Sequence, residues 1–139
     1  MTQINSYLTF TGNCREAMTF YAACLGGELS LQTVGQSPLS EKMPAQMKEC
    51  ILHAALTKAA LVLMGSDMVP EKGIVKGNAI SLMLACSSEE EINNYFEKLS
   101  AGGEINHPLE NTFFGSLMGD LTDKYGNHWL LNFDKSQAS

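Results

Sequence analysis

Two nearly identical stretches decide the fold of this chain: LGGEL at residues 25–29 and AGGEI at residues 101–105. Each follows a segment whose apolar residues recur every three to four positions, which is the period of one helix face. In the first segment these residues are Ala17, Phe20, Tyr21, Cys24 and Leu25, and in the second they are Ile92, Tyr95, Phe96 and Leu99. Because a glycine pair readily ends a helix in a left-handed turn, the sequence predicts two helices with the same stop signal.

The starts of the two predicted helices also match. Asn13 is positioned to cap the first helix, with Glu16 three residues later to reach back to it. Ser88 and Glu91 have the same spacing before the second helix. This spacing is the capping-box pattern, in which two backbone donors are satisfied reciprocally.

The segments around the helices repeat as well. A short β-rich run precedes each cap, and further short runs separated by turn residues follow each glycine pair. The first half places these runs at 4–10, 28–34 and 49–67, the last with a turn near Lys58; the second half places them at 78–86, 103–108, 116–123 and 128–134. Both halves therefore read β-α-β-β-β. We predict an α+β fold of two βαβββ repeats that form a cupped mixed sheet, with the helices on its outer face.

The predicted organisation is one domain over residues 1–139. Repeat one covers about 1–67 and repeat two about 79–135, and residues 68–78 connect them. The first half carries an excess segment at 35–49 that is rich in Gly, Pro, Ser, Gln and Lys, which we interpret as a loop or a lid rather than another element.

Composition excludes several classes of function. The chain has 139 residues, 45% of them hydrophobic, and a net charge of -6 with only nine Lys and Arg. Nucleic acids and anionic membranes are bound by clustered basic residues, which are absent here. No apolar run approaches the roughly 18 to 20 residues that span a bilayer, and no signal-like segment opens the sequence, so we expect a cytoplasmic protein. The four cysteines have no Cys-x-x-Cys spacing and are expected to be reduced thiols.

Five stretches carry a family resemblance: YLTFTGNCREAMTFYAACLGGEL at 7–29, LHAAL at 52–56, LVLMGSD at 61–67, SSEEEINNYFEKLSAGGEI at 87–105 and FFGSLMGDLTDKYGNHWLLNF at 113–133. Together they resemble the PhnB-like branch of the vicinal oxygen chelate superfamily, a branch that is often labelled demethylubiquinone-methyltransferase-like. The superfamily includes glyoxalase, extradiol dioxygenases and bleomycin or fosfomycin resistance proteins. The resemblance implies a glyoxalase-like fold.

The resemblance also implies a divalent metal held at four strand positions, two in each repeat. These positions fall at Tyr7 or Ser6, at Leu63 or Met64, at Ser81, Met83 or Leu84, and at Leu130 or Leu131. None of these residues is a usual ligand of a Lewis-acid metal. We therefore expect no metal site and no cofactor, with a divalent metal as the alternative.

The histidines do not restore a metal site by their spacing. His53, His107 and His128 are far apart in the sequence and share no ligand motif. His53 is either a hydrogen-bonded structural histidine or a cup-lining ligand contact or acid–base group. His107 and His128 are expected at loops or strand ends.

The position of the two glycine pairs bears on the methyltransferase label. A nucleotide-type cofactor needs a Gly-rich turn that follows a strand and opens a helix. Both glycine pairs here follow helices, so they read as helix ends, and we expect no methyl transfer from such a cofactor.

Candidate site residues come from strand faces and one aromatic loop. Phe113 and Phe114 sit in a Gly-flanked loop and form either a pocket lip or a plug over the core. Trp129 alternates with two apolar residues and leaves Asn132 on the other strand face, and one of these faces meets the helix. The candidate ligand-binding residues are Tyr7, Thr9, His53, Met64, Phe113, Phe114, Ser116, Trp129 and Asn132, and the candidate catalytic residues are His53, Tyr7 and Asp120.

Three functions are compatible with this pattern. The first is a metal-free protein that binds a small molecule in the cup. The second is an enzyme of the same superfamily, lyase-like or dioxygenase-like, and the third is a protein that acts through a partner surface. A homodimer is expected under all three, with neither nucleic acid nor membrane as a partner.

Overall fold

The computed structural model describes residues 2–135. Contacts divide the chain into two compact units whose boundary lies between Val75 and Lys76, inside the connector expected from the sequence. Each unit contains one helix and one four-stranded sheet. None of the helices in this part of the chain is long and apolar enough to cross a membrane.

The two units repeat the same order of elements. The first consists of β1 (Ser6–Thr9), α1 (Cys14–Leu25), β2 (Glu28–Thr33), β3 (Ile51–Lys58) and β4 (Leu61–Ser66). The second consists of β5 (Leu82–Cys86), α2 (Glu89–Ser100), β6 (Glu104–Asn111), β7 (Ser116–Thr122) and β8 (His128–Asp134). The strand orders are β1-β4-β3-β2 and β5-β8-β7-β6, and in each sheet only the first pair is parallel. The predicted α+β class and the repeated βαβββ unit are confirmed.

The repeated glycine pair has a structural explanation in both units. Gly26 and Gly102 leave their helices with φ of 80° and 78°, a conformation that side chains rarely adopt. The second glycine of each pair lies against the backbone of a neighbouring strand. A Cβ on Gly27 would stand 2.6 Å from the carbonyl oxygen of Thr57, and one on Gly103 would overlap the Thr122 carbonyl oxygen. The motif therefore ends the helix and also lets the chain pass close to β3 or β7.

Of the two predicted helix caps, that of α2 is confirmed and that of α1 is wrong. Ser88 caps α2 as expected, since its Oγ accepts a hydrogen bond from Glu91 N at 3.0 Å. Asn13 makes no side-chain cap bond at α1. The acceptor there is the buried carboxylate of Asp67, whose Oδ1 receives Gly12 N at 2.9 Å and Cys14 N at 3.0 Å. Its Oδ2 accepts Ile51 N at 2.8 Å, so one side chain joins the α1 start to β3.

The excess segment of the first unit is not a plain loop. It contains three short 3-10 turns at Val34–Gln36, Pro38–Glu41 and Ala45–Met47. Backbone hydrogen bonds from Val34 N to Cys50 O and from Gly35 N to Lys48 O close its base. The segment is thus an ordered excursion between β2 and β3.

Each helix covers one face of its own sheet. In the first unit, Ala54, Leu56, Leu63 and Gly65 pair across β3 and β4 and are buried. A Cβ on Gly65 would lie 3.4 Å from Cys14 Sγ, which identifies this side as the α1 side. Met18, outside the predicted helix stripe, is fully buried in this core, whereas Phe20 is only half-buried.

The second unit has the same layering. Apart from Ser116, its buried strand residues are Leu117, Gly119, Leu121, Trp129, Leu131 and Phe133. A Cβ on Gly119 would lie 2.9 Å from Phe96 Cε2 of α2, so these residues face the helix. Alternation along the strands then places Asp120, Leu130 and Asn132 on the opposite side.

Strand β6 is longer than the sequence predicted. It continues to Asn111 through Pro108, which an edge strand tolerates because the missing N–H need not join a ladder. The prediction that His107 lies at a loop or strand end is therefore wrong, because this residue sits inside β6. His128 begins β8, as expected.

Candidate functional site

We use the term open face for the side of each sheet opposite its helix. On the first sheet, one row of cross-strand neighbours runs from Tyr7 through Met64 and Ala55 to Ser30. Paired residues point to the same side of a sheet, so this row lies on the open face. Thr9 lies two residues beyond Tyr7 on the same side of β1 and is half-buried.

Tyr7 and His53 meet on this open face. Their ring centroids are 6.0 Å apart and their planes are inclined by 35°. His53 lies two residues from Ala55 along β3 and therefore on the same side of the sheet. Tyr7 is 54% exposed, which is unusual for an aromatic residue within a sheet. The first unit therefore presents an aromatic ring, an imidazole and a thioether on one accessible surface.

The open face of the second sheet carries different chemistry at the equivalent row. Here the cross-strand neighbours are Met83, Leu130, Asp120 and His107, one from each strand. His107 Nδ1 lies 3.1 Å and 3.0 Å from the two carboxylate oxygens of Asp120. Sequence reasoning selected Asp120 but missed its partner. The available signal was that the predicted runs at 103–108 and 116–123 follow one another, because consecutive strands usually lie side by side.

A second polar group lies beside this row. Thr122 Oγ1 is 2.9 Å from His128 Nδ1, and Asn106 Nδ2 donates to the same hydroxyl oxygen at 3.0 Å. His128 Nε2 lies 3.2 Å from the carbonyl oxygen of Gly77. Both ring nitrogens of His128 are therefore engaged in holding the chain around β8.

Two of the predicted ligand contacts are buried. Trp129 is only 2% exposed, faces α2, and donates its indole N–H to Asp123 Oδ2 at 2.8 Å. Ser116 is buried and bonded to Thr112. Their side chains are occupied by packing and hydrogen bonds within the unit, so we remove both from the candidate set. Asn132 remains on the open face and is half-buried.

The aromatic pair forms the tip of the β6–β7 hairpin. Phe113 is fully exposed and Phe114 is 61% exposed, so they do not plug the core of their unit. The two rings contact each other edge to face, with centroids 5.3 Å apart and planes at 88°. A ligand role for this pair stays a prediction.

The metal implied by the family resemblance does not fit the residues present. The register matches Tyr7 with Met64 and Met83 with Leu130 on the parallel strand pairs, which are the four positions at issue. Their groups are a phenol, two thioethers and an alkyl chain, and hard divalent metals prefer carboxylate, imidazole or water. Within residues 2–135, no three His, Cys, Asp or Glu side chains are grouped to hold a metal ion.

Two thiols are chemically quiet. Burial, with a further contribution from the Asp67 charge, raises the pKa of Cys14 to about 12. Burial, together with Glu91, raises the pKa of Cys86 to about 12. Because the thiolate is the nucleophile, these cysteines are poor candidates for catalysis.

Comparison with known proteins identifies the family. The family model described as 3-demethylubiquinone-9 3-methyltransferase matches residues 2–132. Protein YjdN of Escherichia coli is 33% identical over 98% of this chain and 98% of its own length.

Solved structures agree with this result. Protein PA1353 from Pseudomonas aeruginosa is 36% identical with a TM-score of 0.85, covering 96% of this chain and 98% of its own. A glyoxalase/bleomycin resistance protein/dioxygenase family enzyme from Burkholderia phytofirmans shares the fold, with a TM-score of 0.63 at 14% identity, covering 93% of this chain and 97% of its own. The chain therefore belongs to the family described as 3-demethylubiquinone-9 3-methyltransferase, and it shares its fold with a glyoxalase/bleomycin resistance protein/dioxygenase family enzyme.

Proposed function

We propose that this protein binds a small organic molecule on the open face of its first sheet, without a metal ion. The observation that carries the proposal is the accessible Tyr7–His53 pair beside Met64. An aromatic ring, a thioether and a few polar atoms are the groups that line small-molecule sites in proteins. The tyrosine hydroxyl and the imidazole can form hydrogen bonds that orient a ligand, while the rings and the methionine supply apolar contact area.

The absence of hard ligands at the four family positions favours binding over metal-assisted chemistry. A bidentate oxygen substrate needs a Lewis acid with open coordination positions. Tyr7 and Met64 stand where the first sheet would supply such ligands. We therefore place the ligand against these side chains directly, with no metal between them.

A fragment screen with variants tests the proposal. Hits found by calorimetry in the presence of EDTA are titrated into the wild type, Tyr7→Ala and His53→Ala, with Val75→Ala as a control because Val75 is 93% exposed and lies off the sheet. We expect each site variant to weaken binding by about tenfold, since losing an aromatic or hydrogen-bond contact costs on the order of 1–2 kcal/mol. Unchanged affinities, or binding that requires an added divalent metal, would reject the proposal.

Catalysis is the second candidate, because the same pair contains an acid–base group. The His53 imidazole, whose ring lies 6.0 Å from the Tyr7 ring, is suited to move a proton within a bound ligand. Turnover of a bound ligand that disappears in His53→Ala, with binding and folding retained, would assign the protein to the enzymes of its superfamily. Binding without turnover supports a carrier or sequestering role.

The description of the family as a methyltransferase does not extend to our proposal. The glycine pairs of this chain end helices and press against strand carbonyls, so they cannot cradle the phosphates or ribose of a nucleotide-type cofactor.

We further propose a cytoplasmic homodimer. Native mass spectrometry at micromolar concentration tests the dimer, and a monomer mass would refute it.

A further inference from the structure

The second sheet carries a surface that the proposed function does not use. Its open-face row changes character along its length, from Met83 and Leu130 at one end to Asp120 and His107 at the other. Met83 is 56% exposed, and the His107 side chain is 79% exposed. The row therefore offers an accessible apolar stretch next to an accessible imidazole.

The Asp120 carboxylate fixes how His107 presents its ring. Both carboxylate oxygens lie within 3.1 Å of Nδ1, and an ionised carboxylate can only accept hydrogen bonds. Nδ1 must then carry the hydrogen, and in the neutral ring Nε2 has a free lone pair. No hydrogen bond within residues 2–135 occupies Nε2, in contrast to His128, whose two nitrogens are both engaged.

A histidine held in this way is a proton acceptor. The carboxylate holds the ring through Nδ1 and leaves Nε2 available to a ligand, as an aspartate does when it orients a general base. The neighbouring leucine and methionine do not compete for hydrogen bonds and contribute contact area only. The combination suits a ligand with an apolar body and one acidic hydroxyl.

We propose that the row Met83–Leu130–Asp120–His107 binds weakly acidic hydroxyl compounds, such as phenols and enols, as their anions. The hydroxyl proton passes from the ligand oxygen to His107 Nε2, which gives an imidazolium and a ligand oxyanion held as a charge-assisted pair. No bond other than O–H is broken, and no further reactant is needed. Asp120 is a positioning residue, because it acts through the imidazole.

The test compares two probes that differ in the acidic proton. 4-Nitrophenol carries it, and 4-nitroanisole replaces it with a methyl group. Each probe is titrated into the full chain. The NMR signals of the Leu130 methyl groups report binding to the row, and absorbance reports the phenolate. We expect 4-nitrophenol to bind about tenfold more tightly, because only this probe can form a charge-assisted hydrogen bond with the His107 ring.

Variants separate the role of each residue. His107→Gln should abolish the preference for 4-nitrophenol, whereas Glu110→Gln, an exposed charge change on the same strand, should keep it. Asp120→Asn should reduce the preference and shift the His107 ring nitrogens toward a mixture of tautomers in ¹⁵N spectra. A change in the tautomer ratio is a result that a purely structural role for Asp120 would not produce.

Several results would overturn the inference. Equal affinity for the two probes, a preference retained in His107→Gln, or no response at Leu130 would each show that His107–Asp120 is a surface ion pair only. Binding of both probes that shifts Tyr7 and His53 but leaves Leu130 unchanged would reject this second site while leaving the proposed function in place.

Discussion

At the scale of single residues, two buried carboxylates accept hydrogen bonds that hold segments of the chain in place. Asp67 lies 6% exposed and accepts three backbone N–H groups, and Asp123 accepts two together with the Trp129 indole. The partners of Asp67 are 16 to 55 residues away from it in the sequence, whereas those of Asp123 lie within six residues. The predicted Asn13 cap was wrong for this reason, since the true acceptor for the α1 start is 53 residues from Cys14.

The substitution Asp67→Asn tests this role. The amide keeps one acceptor oxygen, but its NH₂ group would face the buried Ile51 N–H in place of Oδ2. We expect the free energy of unfolding to fall by about 2 kcal/mol, the usual cost of an unsatisfied buried donor. Urea denaturation measures it, with Glu71→Gln on the exposed connector as the matched control. An unchanged midpoint would contradict the assignment.

The raised thiol pKa values give a prediction about pH. Cys14 and Cys86 ionise near 12 in the folded protein, compared with an ordinary value of 9.0. Folding therefore favours their neutral forms. This contribution to stability is complete below pH 9 and is lost as the pH rises from about 9 to about 12.

Alkylation provides the measurement. Iodoacetamide at pH 9 should leave Cys14 and Cys86 unmodified in the folded protein and modify them in urea, with peptide mass spectrometry as the readout. Equal labelling in the two states would show that neither thiol is protected.

At the scale of elements, the sequence predicted existence and order well. The 3.6-residue periodicity located both helices, and Ser88 with Gly102 located the ends of α2 closely. The strand faces were harder. Trp129 and Leu130 are adjacent in a strand and must face opposite sides of the sheet. Only the packing of α2 decides that the tryptophan is the one that points inward. The extension of β6 through Pro108 could not be predicted either, because it depends on β6 lying at an edge.

The helix caps allow a paired prediction. Ser88→Ala removes the acceptor for Glu91 N and should lower the free energy of unfolding by about 1 kcal/mol. Asn13→Ala removes no side-chain cap bond and should change it by less than about 0.5 kcal/mol. Thermal or urea denaturation of both variants measures the difference. Equal losses would mean that Asn13 caps α1 after all.

The glycine pairs allow a second paired prediction. Gly27→Ala places a methyl group 2.6 Å from Thr57 O at a φ of +99°, so both contact and backbone strain oppose it. We expect a loss of about 2–4 kcal/mol, from overpacking and left-handed strain together. Gly77→Ala is the matched control, because no atom lies within 4 Å of its added Cβ and its φ is not in the left-handed range. Similar stability for the two variants would refute the close-approach explanation.

At the scale of the whole molecule, the chain contains two structural repeats whose exposed sheet faces carry different residues. The helices, strand orders and glycine pairs repeat, because each unit must solve the same packing problem. The open-face rows diverge: Tyr7–Met64–Ala55–Ser30 in one unit and Met83–Leu130–Asp120–His107 in the other. The order of helices and strands could be predicted from the hydrophobic periodicity. The rows of cross-strand neighbours could not, because they depend on strand register, which a single sequence does not specify.

The central claim is that a small molecule binds at the Tyr7–His53–Met64 face without a metal. The most direct measurement is the NMR signal of the Met64 methyl group, assigned with Met64→Leu, during titration of the best screened ligand in EDTA. The account predicts a saturable shift of this signal, accompanied by shifts of the Tyr7 and His53 rings. A ligand that binds while the Met64 signal stays fixed, or that moves it only after a divalent metal is added, would contradict the claim.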